Sequence, residues 1–351
     1  MTMFKPEPNL TEWQESVVEL LKNPRLTSYL EYLDRRVKDY YASLPEEKRP
    51  TGSYDHKANL LKFAETALPI QDESMRGYAS KWATLSAQHA ENDIYQKCVD
   101  FFQPGEGLLV DLGCGSGQFL AAANTRSAIG VDINHYCLQA AETLLAGRGP
   151  VTRHSRSYIS FDPERGFILK PYPVMNVKLD GTTLLLDDIQ TLHNTMGVLY
   201  NQGRKADMVS FTLSGGYTNN SPLQFIDAMN LGGNFREEKM VKHAENIRAS
   251  VINKLGKICK SGGKFFFAYR MAAAADDGTF VDKHEEIGQE MAKLHPNIDV
   301  VRTSSLAMED ENGMHGIGLD RRRIEKDGTI TILPDSAVLP YRLYLFDMRL
   351  R

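Results

Sequence analysis

The chain has only four cysteines in 351 residues, Cys98, Cys114, Cys137 and Cys259, and they lie far apart. No Cys-x-x-Cys pair and no histidine at zinc-ligand spacing accompanies them, so neither a disulfide scaffold nor a structural zinc module is written here. They read as the reduced thiols of a cytoplasmic protein, with no metal expected. No sign of charge prevails either: 41 Lys and Arg stand against 45 Asp and Glu, a formal net charge of −4. Broad affinity for nucleic acid is therefore not expected from charge, and Arg321-Arg322-Arg323 is the only tight basic cluster. No apolar run approaches membrane-spanning length, and Met1 to Pro8 lack the apolar stretch of a signal peptide, so no membrane partner is expected. Internal repeats and low-complexity segments are missing too. Apolar side chains are plentiful, at 42% of residues, enough for a large core.

The periodicity changes character once along the chain. Residues 1 to 88 read as helices, with Leu10, Trp13, Val17, Val18 and Leu21 on one face and Leu26, Tyr29, Leu30, Leu33, Val37 and Tyr40 on the next. Asn9 stands where a helix cap is needed. A polar linker from Pro45 to Ser53 follows, then helices over His56 to Ala67 and Asp72 to Ala87. This region is expected to be a helical lid that selects the substrate. From residue 89 to 351 short apolar runs alternate with helical patterns, the signal of βαβ units and a parallel sheet. Strands are expected at Gly107 to Val110, Ala128 to Val131, Val174 to Leu179, Ala206 to Leu213, Lys264 to Tyr269, Asp299 to Arg302 and Tyr341 to Met348. Two alternating runs, Ser157 to Phe161 and Phe167 to Lys170, flank a Pro/Gly turn and read as a β-hairpin insertion. The fold class is thus α/β, a doubly wound, mostly parallel sheet of seven strands with a helical lid and a hairpin insertion.

The densest chemistry lies at Val110-Asp111-Leu112-Gly113-Cys114-Gly115-Ser116-Gly117-Gln118. A strand ends in an acid, and three glycines then alternate through a turn into a helix. Glycine tolerates positive φ and lets a ligand approach the backbone. The next strand also ends in an acid, Asp132, placed to accept from both hydroxyls of a ribose. The dinucleotide fingerprint Gly-x-Gly-x-x-Gly fails because its third position is Gln118, and no phosphate loop ending in Gly-Lys-Ser/Thr occurs. These residues resemble motif I and the following acidic loop of the class I S-adenosylmethionine (SAM)-dependent methyltransferases.

The resemblance implies SAM as cofactor and a role for each matching residue. Asp111 with the backbone of Gly113, Gly115 and Gly117 would face the amino-acid end of SAM. Asp132 would take the ribose hydroxyls and Ile133 would pack on the adenine. Asp180, with Gly181 beside it, would accept from the adenine amino group, and Thr212 to Ser214 would run past the sulfonium. Tyr78 and Trp82, in a stretch before the core, would cover the sulfonium by cation–π attraction, worth about 0.5–2 kcal/mol. After the fourth strand the family members that methylate base or glutamine nitrogens often carry Asn/Asp-Pro-Pro-Tyr/Phe; here the chain reads Leu213-Ser-Gly-Gly-Tyr217-Thr-Asn219-Asn220-Ser221. That departure favours a small-molecule acceptor over a nucleic acid, with Tyr217 and Asn219 as candidate catalytic residues. No histidine follows this strand to act as base for O-methylation. Two other readings stay open: transfer of the aminocarboxypropyl group or cyclisation of SAM, both releasing methylthioadenosine, and a SAM-binding domain without catalysis.

Overall fold

A computed structural model describes residues 9–49, 55–162, 166–212, 249–272, 284–308, 322–324, 330–332 and 341–351. The chain divides into two compact units, one holding the segment up to Ser80 together with Ser155–Pro173, the other beginning at Lys81 and taking in the rest of the described residues. The division falls within a single helix, α3 (His56–Glu91). The two helices expected there run on as one through Pro69. Leu68, beside that proline, is fully buried.

In the first unit, α1 (Asn9–Leu20) and α2 (Pro24–Ser43) precede α3. The insertion forms strands β4 (Ser157–Asp162) and β5 (Gly166–Pro171), an antiparallel pair as expected. It belongs with the helices: Ile159 and Leu169 join Trp13, Val17, Leu26, Leu30, Phe63 and Leu68 in one apolar cluster. A buried polar knot fixes the register. Asn9 donates to the Ser155 carbonyl at 3.2 Å and accepts from the Ser157 amide at 2.9 Å, while the Trp13 indole donates to the Ser157 hydroxyl at 2.9 Å. Asn9 thus spends its side chain on the hairpin.

The second unit carries α4 (Ile94–Phe102), β1 (Leu108–Leu112), α5 (Gln118–Ala123), β2 (Ser127–Asp132), α6 (His135–Leu145), β3 (Val151–His154), β6 (Thr182–Leu186), α7 (His193–Asn201) and β7 (Ala206–Thr212). Then come α8, helical over its described residues 249–258, β8 (Cys259–Ala272), α9 (His284–Leu294), β9 (Ile298–Met308), β10 (Arg322–Ile324), β11 (Ile330–Ile332) and β12 (Tyr341–Leu350). The main sheet has eight strands in the order β3-β6-β2-β1-β7-β8-β12-β9. The pairs from β3 to β8 are parallel, and β12 runs antiparallel between β8 and β9. The expectation of seven strands is corrected by β3, which adds an edge beside β6. Strands β10 and β11 form a separate small antiparallel pair.

Both faces of the sheet are covered, so its central strands are apolar throughout rather than alternating. Leu108, Val110 and Leu112 of β1 pack into one core with Ile129, Val131, Leu185, Val209 and α8 residues Val251, Leu255 and Ile258. Leu109 packs on the opposite face with Phe102, Phe119, Leu138 and Leu184. Asp111 shares that second face by alternation, a carboxyl among apolar side chains.

Candidate functional site

Parallel strands deliver their carboxyl ends to one edge of the sheet, where ligands of open α/β folds bind at the switch in strand order. Here the switch lies between β1 and β7, since β1 pairs with β2 on one side and with β7 on the other. The glycine loop leaves β1 at that point. Gly113, Gly115 and Gly117 all take left-handed backbone, at φ of 69°, 53° and 80°. The loop is tied down by the Cys114 amide to the Val131 carbonyl and by the Gly115 amide to Oδ2 of Asp132, each at 2.9 Å. Space decides two positions. A Cβ on Gly117 would lie a tight 3.0 Å from Cβ of Ala141 on α6, at a φ of 80° that favours glycine, whereas a Cβ on Gly115 would meet nothing within 4 Å. The second glycine of the loop faces open room, as a backbone that receives a ligand must.

Asp132 is half-buried at the end of β2 and organises the loop from below. Its Oδ1 accepts from the Asn134 amide at 2.8 Å, and Asn134 in turn caps α6 through the Tyr136 amide at 3.0 Å. Burial raises Asp132 to about 6 in spite of the amides of Asn134, Gly115 and Ile133 that stabilise its charge. Ile133 follows, half-buried. Asp111 is fully buried. Its Oδ1 accepts from the Ser210 hydroxyl of β7 at 2.7 Å, and its Oδ2 has no partner among the described residues. Burial, helped by the nearby Asp132 charge, pushes Asp111 up to about 7. Ser116, in the loop, holds a buried hydroxyl that also finds no partner among the described residues.

The expectation for Asp180 and Gly181 is corrected. The third parallel strand is Thr182–Leu186, not Val174 to Leu179, so both residues sit at its amino end, where Ala128 and Thr182 pair at the start of β2 and β6. Asp180 is exposed. Gly181, at φ 154°, is a packing glycine: its absent Cβ would lie 2.5 Å from the Pro150 carbonyl. Val177 and its neighbours fill core without forming a strand. The acids that end this strand are Asp187 and Asp188. Asp187 is fully buried, accepts from the amide and hydroxyl of Thr195 at 2.8 Å each, and is raised to about 6 by burial. Asp188 is half-buried and accepts from the Gln190 amide at 2.8 Å. The signal was in the sequence: Leu184-Leu-Leu-Asp187 repeats the pattern of Leu109-Val-Asp111 and Gly130-Val-Asp132, an apolar run closed by an acid.

Three strand ends therefore bring Asp111, Asp132 and Asp187 to one edge, and no Lys or Arg among the described residues pairs with any of them. A doubly wound, mostly parallel sheet with a Gly-x-Gly-x-Gly turn after β1 is the architecture expected from the sequence, here with eight strands. The fold is α/β with a large, mostly parallel sheet, consistent with that of the class I SAM-dependent methyltransferases. Of the other site expectations, Tyr78 is half-buried on α3 in the first unit, and Thr212 is buried at the end of β7. Ser214, Tyr217 and Asn219 lie outside the described residues. Tyr269 stacks in a ladder with Phe267 at 5.2 Å and Phe346 at 5.9 Å. The four cysteines are free and buried, and burial pushes the Cys98 thiol up to about 12, a packing role. Among the described residues no His/Cys/Asp/Glu group fits a metal ion, and no helix is long and apolar enough to cross a membrane.

No protein-family model matches the chain and no curated protein matches it. Among solved structures it is similar to the ribosomal protein L11 methylase of Lactobacillus delbrueckii subsp. bulgaricus, at 13% identity over 73% of this chain and 78% of that one, TM-score 0.33. It is also similar to the YcgJ protein of Bacillus subtilis, at 9% identity over 70% of this chain and 92% of that one, TM-score 0.36.

Proposed function

We propose that the chain is a SAM-dependent methyltransferase that acts on a small-molecule acceptor. One observation carries the cofactor: a sheet edge with three buried or half-buried aspartates and no paired cation among the described residues. Carboxylates without a paired cation in low dielectric are costly to ionise, and an arriving cation lowers that cost. SAM brings two positive groups, an ammonium and a sulfonium, and it supplies an already activated methyl group.

The chain's own residues divide the work of holding it. Asp111 lies beneath the glycine loop and lends negative charge to the amino-acid end. The open face at Gly115 admits the ligand to the backbone. Asp132 keeps its loop bonds and has lone pairs left for ribose hydroxyls, with Ile133 alongside for the adenine. Asp188 takes the adenine amino group in place of Asp180, because it stands at the carboxyl end of β6 and is half-buried. Positioning and exclusion of water can supply most of the rate for such an in-line displacement, and a base is required only if the acceptor must lose a proton. The small residues and polar tips from Ser214 to Asn219 in the sequence support an acceptor smaller than a nucleic acid, with Tyr217 as the candidate catalytic residue.

Incubation with SAM and a metabolite pool, followed by identification of the nucleoside, tests the reaction. S-adenosylhomocysteine is expected; methylthioadenosine would assign aminocarboxypropyl transfer or cyclisation instead, and no turnover beside tight binding would assign a non-catalytic domain. Tyr217→Phe is expected to lower turnover far more than SAM affinity, and equal loss of both would remove Tyr217 from the reaction.

A further inference from the structure

We propose that Ser210 is a positioning residue of the cofactor site: its hydroxyl aims the Asp111 carboxylate beneath the glycine loop and stabilises its charge. The inference rests on the SAM reading of that edge. Ser210 and Asp111 are direct partners in the β1–β7 register, and the hydroxyl donates to Oδ1 at 2.7 Å. Both side chains are fully buried. Oδ2 meets no donor among the described residues, so this one hydroxyl is the hydrogen bond the carboxylate has there.

Asp132, reaching Asp111 from β2, opposes its charge. Tyr95 of α4 and Cys114 of the loop are kept protonated by burial and by the neighbouring carboxylates, so neither offsets that charge. No cation among the described residues pairs with it. Ser210 interrupts the apolar middle of its strand, Met208-Val209-Ser210-Phe211, and a buried hydroxyl in such a run costs free energy unless it is paired. The pairing here goes wholly to Asp111. Hydrogen bonds to a charged group favour the charged form, so removing this one moves the ionisation of Asp111 upward.

The test compares the parent with Ser210→Ala by two readouts. The first is the titration of the Asp111 carboxyl carbon by NMR in the cofactor-free protein, which needs no ligand. Its midpoint is expected to rise by about one pH unit or more in the variant, since a hydrogen bond to a charged group carries that much. The second is calorimetry with SAM from about pH 6 to pH 9. The variant is expected to bind about tenfold more weakly near pH 7 and to recover as the pH climbs past the new midpoint. An unmoved carboxyl titration overturns the proposal, as does a loss of affinity equal at every pH. A parent that binds no SAM overturns the cofactor reading, while the carboxyl titration still decides what Ser210 does to Asp111.

Discussion

Replacing Asp111 by Asn separates what this carboxyl costs from what it does. The unfolded chain ionises this group near 3.8 and the folded one near 7, because burial disfavours the charge. A folded value raised in this way contributes stability that is present below 3.8 and is lost as the pH rises through 7. The parent therefore weakens between those values and levels off above them. Asn has nothing to ionise, keeps an oxygen for the Ser210 hydroxyl, and is of the same shape. Its buried amide NH2 has a cost, but one independent of pH. The difference in stability between variant and parent should accordingly swing in favour of the variant between pH 5 and pH 8. With 3.8 and about 7 as the two ionisation points, that swing is about 2.5 kcal/mol. Urea unfolding of both proteins at the two pH values measures it, and the pH-independent cost cancels. SAM affinity of the variant should fall by more than tenfold at pH 8, where the parent is charged. A swing under about 0.5 kcal/mol would mean that the carboxyl is not held in the low-dielectric setting inferred here.

Three further outcomes follow from the geometry. Gly117→Ala forces a Cβ to 3.0 Å from Ala141 at a φ of 80°, and should cost about 1–3 kcal/mol by thermal unfolding and abolish measurable SAM binding. Asp180→Ala should leave SAM affinity within about twofold of the parent, whereas Asp188→Ala should weaken it about tenfold, both read by calorimetry; the reverse pattern would restore the sequence's first choice of adenine contact. Asp132→Ala removes acceptors for the Gly115 and Asn134 amides at 2.9 and 2.8 Å, so it should lower both the melting temperature and the SAM affinity, whereas a carboxyl used only for ribose would lower the second alone.

The fold was legible because its strongest signals are local. An apolar run, an acid and three alternating glycines can be read without knowing what lies across the sheet, and β1, the loop and β2 stand where the pattern put them. The third strand was misread because two apolar segments compete for it. Val174 to Leu179 alternates well, yet Thr182 to Leu186 is the more continuous, and a strand buried on both faces selects continuity. That choice carried Asp180 to the wrong end of the sheet and hid Asp187 and Asp188, although each of the three strand ends repeats the same apolar-then-acid pattern. The partnership of the hairpin with α1 was beyond local reading, since Asn9 and Ser157 lie 148 residues apart and meet only through buried side-chain bonds. Ser210 was passed over for a similar reason: in the sequence it is one small residue in an apolar strand, and only the parallel register sets it opposite Asp111.

Everything proposed for the edge depends on a cationic nucleoside being its ligand. Calorimetric titration of the full chain with SAM, beside NAD and ATP as controls, tests this directly. Micromolar or tighter binding of SAM, weaker for the uncharged-sulfur product S-adenosylhomocysteine below pH 6 than above pH 8, and no heat with either control is the expected result. No heat with SAM or its demethylated product, alongside tight binding of NAD or ATP, would contradict the account.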